Sequence, residues 1–425
     1  MRNHVLKTEK LVISMNWENK NVLITGIGGF VGSYLAKYLL SKGARVFGIE
    51  RRRADGSIPQ NIVERGIVKD ITLIEGDLTD ISSLAYALDK SEPDVIFHLA
   101  AQSFVPRSFT HPLETFEINT IGTVNLLEAV RLKDLDLIIV FAGSSEEYGL
   151  VISSEKQYER VKQKYGVIFP EPERIPELPI KETNPLRPMS PYAVSKVHGE
   201  YIMRNYHCIY GMKTIVSRGF NHEGAGRGIM FVTSQITCQV MKLKFGETDR
   251  ITIGNVNAFR DWSHVMDIVK GYCLLSEKGK YGDVYNQGSM RTNSVLSYIL
   301  LSLEQAGWKV EKIETMNNSK IVDNPTERDC SKMFGVKFEK TKIDKMMLEE
   351  EIEFTIEDKG IWVYTDKGKI PIEFDYNRFR QAEVPILLSS TEKIKKIGFE
   401  IKYSLKDIIK DQLNYFLNPQ KRGVI

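Results

Sequence analysis

One short stretch limits what this chain can fold into: residues 21–40, NVLITGIGGFVGSYLAKYLL. Val22, Leu23, Ile24 and Thr25 make an apolar run of strand length. Phe30, Val31, Leu35, Tyr38 and Leu39 then recur at helical spacing. Between the two lie Gly26, Gly28, Gly29 and Gly32. A strand that passes through glycines into a helix start has the pattern of a dinucleotide-binding turn. Gly26 permits the tight reversal, because glycine takes positive φ without steric cost. Gly29 carries no side chain to block a pyrophosphate, and Gly32 lets the helix lie close on the strand. The helix N-terminus adds free N–H groups and a partial positive charge for phosphates. An ordinary glycine-rich turn would share the glycines; the strand before them and the helix after them argue against it.

The alternation continues. Residues 46–49 form a second strand that ends in Glu50, Arg51, Arg52 and Arg53. In this architecture the end of the second strand meets the adenosine ribose. A carboxylate there accepts from the 2′-hydroxyl of NAD, and arginines pair with the 2′-phosphate of NADP. Both chemistries are present. The arginines favour NADP, Glu50 leaves NAD open, and a solvated charged loop accounts for Arg53 equally well. Residues 71–78 read as a third strand, with Asp77 and Leu78 placed for the adenine; Asp77 could instead cap the next helix. Residues 93–101 read as a fourth, leading through Leu99, Ala100 and Ala101 to Ser103, small residues that let the backbone approach the cofactor. His98, inside that apolar run, reads as a core histidine.

A helix is expected over 112–131, and a strand over 137–141 that runs to Ser144, Ser145 and Glu146. The carboxyl ends of strands are the working edge of an open α/β sheet, so a serine and a carboxylate there are placed for chemistry. Residues 151–180, rich in Lys, Glu and Pro, read as a surface excursion. Pro191 then suits a first helical turn. Tyr192 and Lys196 follow at i and i+4 on one face. An ammonium beside a phenol should lower a pKa that starts near ~10. A last inner strand over 214–218 leads to a polar glycine loop with Asn221, His222 and Arg227. A second charged loop carries Arg260, followed by a helix over 265–275 and a strand near 285–286 that returns to the first lobe. Residues 354–374 alternate about a turn at 366–368 and read as a hairpin.

The expected fold is α/β: a Rossmann-like doubly wound parallel sheet with a smaller mixed α/β substrate lobe, the cleft lying between them. Residues 1–20 form an N-terminal extension, of which 1–14 are expected to be loose. Residues 21–218 and about 255–290 form the dinucleotide-binding half. Residues about 219–254 and 291–425 form the other lobe. A chain of 425 residues has room for both. A net charge of +3 gives no reason to expect nucleic acid or a membrane surface, and no apolar run reaches membrane-span length. The sequence suggests a cytoplasmic protein. Cys208, Cys238, Cys273 and Cys330 are isolated, without metal-type spacing, and suit core thiols in a reducing compartment.

The motifs TGxxGxxG at residues 25–32 and YxxxK at 192–196 resemble the extended short-chain dehydrogenase/reductase family, which acts on nucleotide-linked sugars. Within it the chain is most similar to the GDP-mannose 4,6-dehydratase branch. That likeness rests on AAQS (100–103), SSEEYG (144–149), SPYAVSK (190–196), NHE before Arg227, RDWSH (260–264) and RQAEV (380–384). Ser144 stands where that branch usually shows threonine, Glu114 at what looks like a tyrosine position, and residues 151–180 and 312–350 are longer than its pattern.

The resemblance implies an internal redox cycle on a nucleotide sugar such as GDP-mannose. Tyr192 would take the proton of the sugar 4-hydroxyl, with Lys196 beside it. Glu146 would remove the C5 proton and assist loss of the 6-hydroxyl as water, and Ser144 would hold the 4-oxygen. His222 and Arg227 would touch the cofactor. Ser103, Ser145, Asn221, Arg227, Arg260, Arg380 and Glu383 would contact the substrate, the arginines suiting a diphosphate. An interlobe salt bridge is the plain alternative for Arg260, and a turn role for Asn221. A homodimer or homotetramer is implied, paired through the helices near 112–131 and 191–210. Three other readings stay open on sequence: a sugar-nucleotide 4-epimerase, a UDP-uronate decarboxylase, and a catalytically silent nucleotide-binding scaffold.

Overall fold

The computed structural model describes residues 16–379 and 383–423. The expectations for residues 1–14 and for Arg380 lie outside the described residues. Seven parallel strands make the main sheet. In chain order they are β1 (Asn21–Thr25), β2 (Arg45–Glu50), β3 (Ile71–Glu75), β4 (Val95–His98), β5 (Ile138–Ser144), β6 (Lys213–Gly219) and the strand Val284–Gln287. Their spatial order is Val284–Gln287, β6, β5, β4, β1, β2, β3. The order reverses between β1 and β4, and that crevice at the carboxyl ends of the strands is where ligands bind in open α/β sheets. The inner strands are near-continuous apolar runs because helices cover both faces; all four residues of β4 are buried.

The helix α1 (Phe30–Leu40) buries Leu35 and Leu39 on one face of the sheet, in a core shared with Ile268, Val269 and Tyr272 of the helix Val265–Lys278. On the other face Leu84, Leu126, Leu127 and Met203 form a second core. A third core belongs to a five-stranded mixed sheet in the order Ile321–Asp323, Val310–Thr315, Gly360–Thr365, Gly368–Phe374, Ile251–Ile253. The expected hairpin is its centre, Gly360–Thr365 pairing antiparallel with Gly368–Phe374.

Two stretches differ from expectation. The helix over 112–131 is not uniform. A wide turn, Glu117–Ile121, separates the helices Pro112–Phe116 and Gly122–Leu132. There the Asn119 side chain leaves the helix to accept from the Gln102 N–H (2.8 Å) and to donate to Ser195 Oγ (2.9 Å). It ties the loop after β4 to the helix Pro191–Tyr210.

Residues 151–180 are not merely a surface excursion. They contain the helix Glu155–Tyr165, and Ile152, Leu178 and Ile180 are buried. Glu177 forms a buried bidentate pair with Arg187 (2.7 and 2.8 Å). Such a pair needs further hydrogen bonds to offset its desolvation. Arg187 supplies them, donating also to the Leu150 and Pro170 carbonyls. The composition of the segment reports its exposed face; the buried pair is invisible without the partner ten residues on.

Candidate active site

A cleft of ≈ 1080 Å³ runs from the glycine turn to Tyr192, and it takes residues from both sheets' surroundings. Its dinucleotide end is built from backbone. Gly26 has φ +74°, and a Cβ there would stand 2.9 Å from the Ala100 backbone. A Cβ on Gly32 would come within 2.3 Å of the Gly26 carbonyl oxygen. These approaches leave the start of α1 open to the cleft, which is lined by Gly26, Gly28, Gly29, Phe30, Val31 and Gly32. A bare N-terminus facing a cleft suits a pyrophosphate.

Glu50 and Arg51 line the next part of the cleft, with Asp77, Leu78, Leu99, Ala100, Ala101 and Ser103. Arg52 lines an adjoining hollow of ≈ 670 Å³ shared with Glu50, Arg51, Arg53 and Asp77. The Glu50 carboxylate leans over the turn, 2.5 Å from where a Gly28 Cβ would be, and Arg53 approaches it at 3.5 Å. Asp77 does not cap the helix Ile81–Ser91; Asp80 does, accepting from the Ser82 N–H. Asp77 instead accepts from Thr79 and faces the cleft. Arg107 and Glu114, an ion pair at 2.8 Å, also line this end, and sequence reasoning did not single out Arg107. His98 is the core histidine expected: its ring nitrogens meet Thr25 and Thr123 hydroxyls, and burial pushes its pKa down to about 3.

The other end is built from buried ionisable side chains. Ser190 caps the helix Pro191–Tyr210, with Pro191 in its first turn, and this aims Tyr192 and Lys196 into the cleft. The expected lowering of the phenol is overturned in this structure. The Lys196 Nζ donates to the Ala142 carbonyl (2.8 Å) and stands 5.9 Å from the centre of the Tyr192 ring. Burial dominates both groups, pushing Tyr192 up to about 12 and Lys196 down to about 8. The Ser144 hydroxyl and Arg227 act in the opposite direction on Tyr192, and Glu146 and Glu147 add to the rise.

Ser144 ends β5, and residues Ser145–Glu147 form one 3₁₀ turn in which the Glu146 N–H donates to Ser144 Oγ (3.2 Å). Glu146 is half-buried, and Ser144 and Ser145 are buried. Among the described residues the cleft lining includes Ala142 and Gly143 but not Ser144, Ser145 or Glu146; Ser144 and Glu146 act on the lining through Tyr192. Glu147, which sequence reasoning passed over, is fully buried and accepts from the Ser144 N–H (2.6 Å). The only signal for it was the second glutamate of SSEEYG.

His222 and Arg227 line the cleft, the guanidinium lying 3.5 Å from the centre of the Phe231 ring and its Nε 3.5 Å from Glu223. Burial lowers His222 to about 4, so it is neutral near pH 7. Asn221 stands outside the lining, with its buried Oδ1 lacking a hydrogen-bond partner. Arg260 and Glu383 are brought to each other instead, at 2.7 Å, and Arg260 also donates to the Phe259 and Val384 carbonyls. Tyr415, Phe416 and Lys421, far along the chain, join the cleft lining, with Tyr415 and Lys421 bonded to Glu64, contacts no local pattern announces.

The NAD dependent epimerase/dehydratase family matches residues 22–288. The chain belongs to that family. Relatives within it carry the dehydratase name. The GDP-mannose 4,6-dehydratase of Vibrio cholerae is 31% identical over 413 residues, 96% of this chain and 96% of that one. The enzyme of that name from Yersinia enterocolitica serotype O:8 is 36% identical over 299 residues, 69% of this chain and 73% of its own. Among solved structures, RMD from Pseudomonas aeruginosa complexed with NADPH shares the fold with a TM-score of 0.64 at 22% identity, covering 93% of this chain and 99% of that one. UDP-glucose 4-epimerase from Thermus thermophilus, complexed with NAD, does so with a TM-score of 0.62 at 22% identity, covering 95% and 99%. The epimerase/dehydratase chain described here thus shares its overall fold with these structures. Among the described residues, no helix is long and apolar enough to cross a membrane.

Proposed function

We propose that this chain is a nucleotide-sugar 4,6-dehydratase that converts GDP-mannose to GDP-4-keto-6-deoxymannose with loss of water, using NADP. The observation that carries the reading is the turn at the end of β5. Glu146 is hinged to Ser144 there, and both act on Tyr192, which with Lys196 lines the inner end of a cleft whose outer end is a glycine cradle. A proton-moving carboxylate next to the tyrosine is what elimination requires beyond simple oxidation at C4. The full-length relatives bearing the dehydratase name agree with it.

The residues fit a dinucleotide, because Gly26 and Gly32 sit where the neighbouring backbone admits no Cβ, and this close packing leaves the glycine turn and the start of α1 bare along the cleft. Gly29 and α1 would hold the pyrophosphate, Asp77 and Leu78 the adenine, and Arg51 and Arg52 a 2′-phosphate, while Glu50 supports NAD as the second choice. When bound, the nicotinamide supplies the hydride acceptor and donor. Tyr192 receives the proton of the sugar 4-hydroxyl, whose oxygen Ser144 holds. Once C4 is a ketone the C5 proton is acidic; Glu146 removes it and returns a proton to the departing 6-hydroxyl. Arg227 offers its guanidinium to the substrate diphosphate.

The test is a panel of nucleotide sugars incubated with the purified protein and no added cofactor, with products weighed. A product lighter by one water from GDP-mannose supports the reading. Unchanged mass with altered stereochemistry points to an epimerase, loss of carbon dioxide from a UDP-uronate to a decarboxylase, and no turnover to a silent scaffold. Denaturing the protein and identifying the released dinucleotide decides between NADP and NAD.

A further inference from the structure

Glu147 is a buried acid that the proposed chemistry does not use. In the 3₁₀ turn after β5 Glu146 is half-buried, whereas Glu147 is fully buried beneath Gly143 and against β6. One carboxyl oxygen of Glu147 accepts from the Ser144 N–H at 2.6 Å. The other, Oε2, is buried and has no donor. The group it faces is another carboxyl, that of Glu200, also fully buried.

Arg218 does not serve both acids equally. Its Nε and Nη2 donate to the two oxygens of Glu200, each at 2.7 Å. Its Nη1 goes to the Tyr148 hydroxyl (2.8 Å) and the Glu182 carbonyl (3.0 Å). Glu147 Oε2 is left at 3.6 Å from an Nε already committed. Glu200 has a further cation at 3.4 Å in Arg204. Two fully buried carboxylates that share one guanidinium, already paired to one of them, favour keeping a proton on the other. A proton on Oε2 of Glu147 turns an orphaned acceptor into a donor to Glu200 and satisfies both acids.

We infer that Glu147 is held as a neutral carboxylic acid that donates to Glu200, and that it is a positioning residue which fixes the Ser144–Glu146 turn without placing a negative charge behind Tyr192. Burial and Glu200 both push the Glu147 acid well above the usual carboxylate range, against the pull of Arg218 and the Ser144 N–H. The charged groups that face it are Glu200 and Lys196 from the helix Pro191–Tyr210 and Arg218 from β6; Tyr192 and Tyr148 are the titratable phenols around it. Negative charge at Glu147 raises the pKa of Tyr192, the wrong direction for a phenol that must accept a proton as phenolate. The neutral acid keeps the hydrogen bond to Ser144 and removes that penalty.

The kinetic part of the test rests on the dehydratase reading; the spectroscopic part does not. Infrared difference spectra at pH 7 between the native protein and Glu147→Gln should show a protonated-carboxyl band in the native protein that the variant lacks. Glu223 and Asp261, also buried acids pushed upward, cancel in the difference. In turnover, Glu147→Leu, which leaves the Ser144 N–H unpaired, should lower kcat by about tenfold or more with KM little changed. Glu147→Gln, whose amide accepts from Ser144 and donates to Glu200, should restore most of that loss. It should also abolish any fall in kcat that the native enzyme shows as rising pH ionises Glu147. Absence of the band overturns the inference, as does a Gln variant no better than Leu, which would mean that position 147 needs its charge. If Glu147→Leu fails to fold, the band and the pH profile of Glu147→Gln still decide. If no nucleotide sugar is turned over, the dehydratase reading fails and the band alone decides the state of Glu147.

Discussion

The two ends of the cleft are made of different material. At the dinucleotide end, backbone does the shaping: Gly26 and Gly32 bring β1, α1 and the Ala100 strand end within distances that no side chain permits. At the Tyr192 end the shape comes from buried ionisable groups: Tyr192, Lys196, Glu147, Glu200 and Arg218 are all within the protein, and their charges set one another. Steric closure is nearly all-or-none, because backbone has nowhere to go. Electrostatic arrangement is graded, because each group answers to burial and to several neighbours at once. Substitutions at the first end should therefore abolish binding, and those at the second should change rates and pH dependence.

The largest effect is expected at Gly32. In Gly32→Val the Cβ meets the Gly26 carbonyl oxygen at 2.3 Å and the Ile27 Cα at 2.8 Å, both backbone. Overpacking of this kind costs about 1–3 kcal/mol or more, and here relief requires moving the turn itself. Dinucleotide released on denaturation, and dinucleotide titration of the purified variant, should both fall to background. Retained binding within about tenfold of native, a shift of only ~1.4 kcal/mol, would break the contrast between the two ends.

Next is Glu146→Gln, which keeps the shape of the β5 turn and removes a base. It should lower dehydration by about 10²–10⁴-fold, the usual worth of general acid–base catalysis. Oxidation at C4 should persist, read as a trapped 4-keto sugar with its 6-hydroxyl intact. Dehydration at an undiminished rate would remove Glu146 from the reaction.

This contrast also explains what could be read in advance. The glycine turn, the succession of strands along the chain and the Tyr192–Lys196 face were legible because each is a local spacing rule. So was the hairpin at Gly360–Phe374, whose alternation and turn residues lie within one short segment. Glu147 was not, because its meaning depends on Glu200 and Arg218, 53 and 71 residues away by their numbering. The Tyr192 phenol went the other way from the expected one for a similar reason. The i, i+4 spacing places Lys196 on the same face, but its Nζ donates to Ala142 and stands 5.9 Å from the centre of the Tyr192 ring, and desolvation, which no spacing reports, takes over. Arg260 and Glu383 pair across 123 residues, a contact that no local spacing reports.

A smaller effect should come from His98, which lies on β4 beside Thr25 and so supports the dinucleotide end through a titratable group. Its folded pKa is depressed to about 3 from 6.5. Its contribution is therefore present above the unfolded value and is lost as pH falls, since only the unfolded chain takes the proton. Between pH 7 and 5 this amounts to about 2 kcal/mol by linkage. Denaturant unfolding at the two pH values should show native stability falling by that much more than in His98→Gln. An equal fall in both would show that the ring is not held neutral.

The smallest effect belongs to Arg52, at the exposed margin where the backbone-built end gives way to side chains. Arg52 lines the outer hollow with Glu50 and Asp77, and it is exposed, so its charge is screened by solvent. A 2′-phosphate gains a charge-assisted bond from it, but a fraction of what a buried pair gives. Arg52→Ala should weaken NADP binding by about tenfold at low salt and by less at high salt, and leave NAD binding unchanged. Arg51, which lines both the cleft and the hollow, should show the larger loss of the two. If neither substitution discriminates between the dinucleotides, Glu50 leaning over the turn is the group that selects, and the preference passes to NAD.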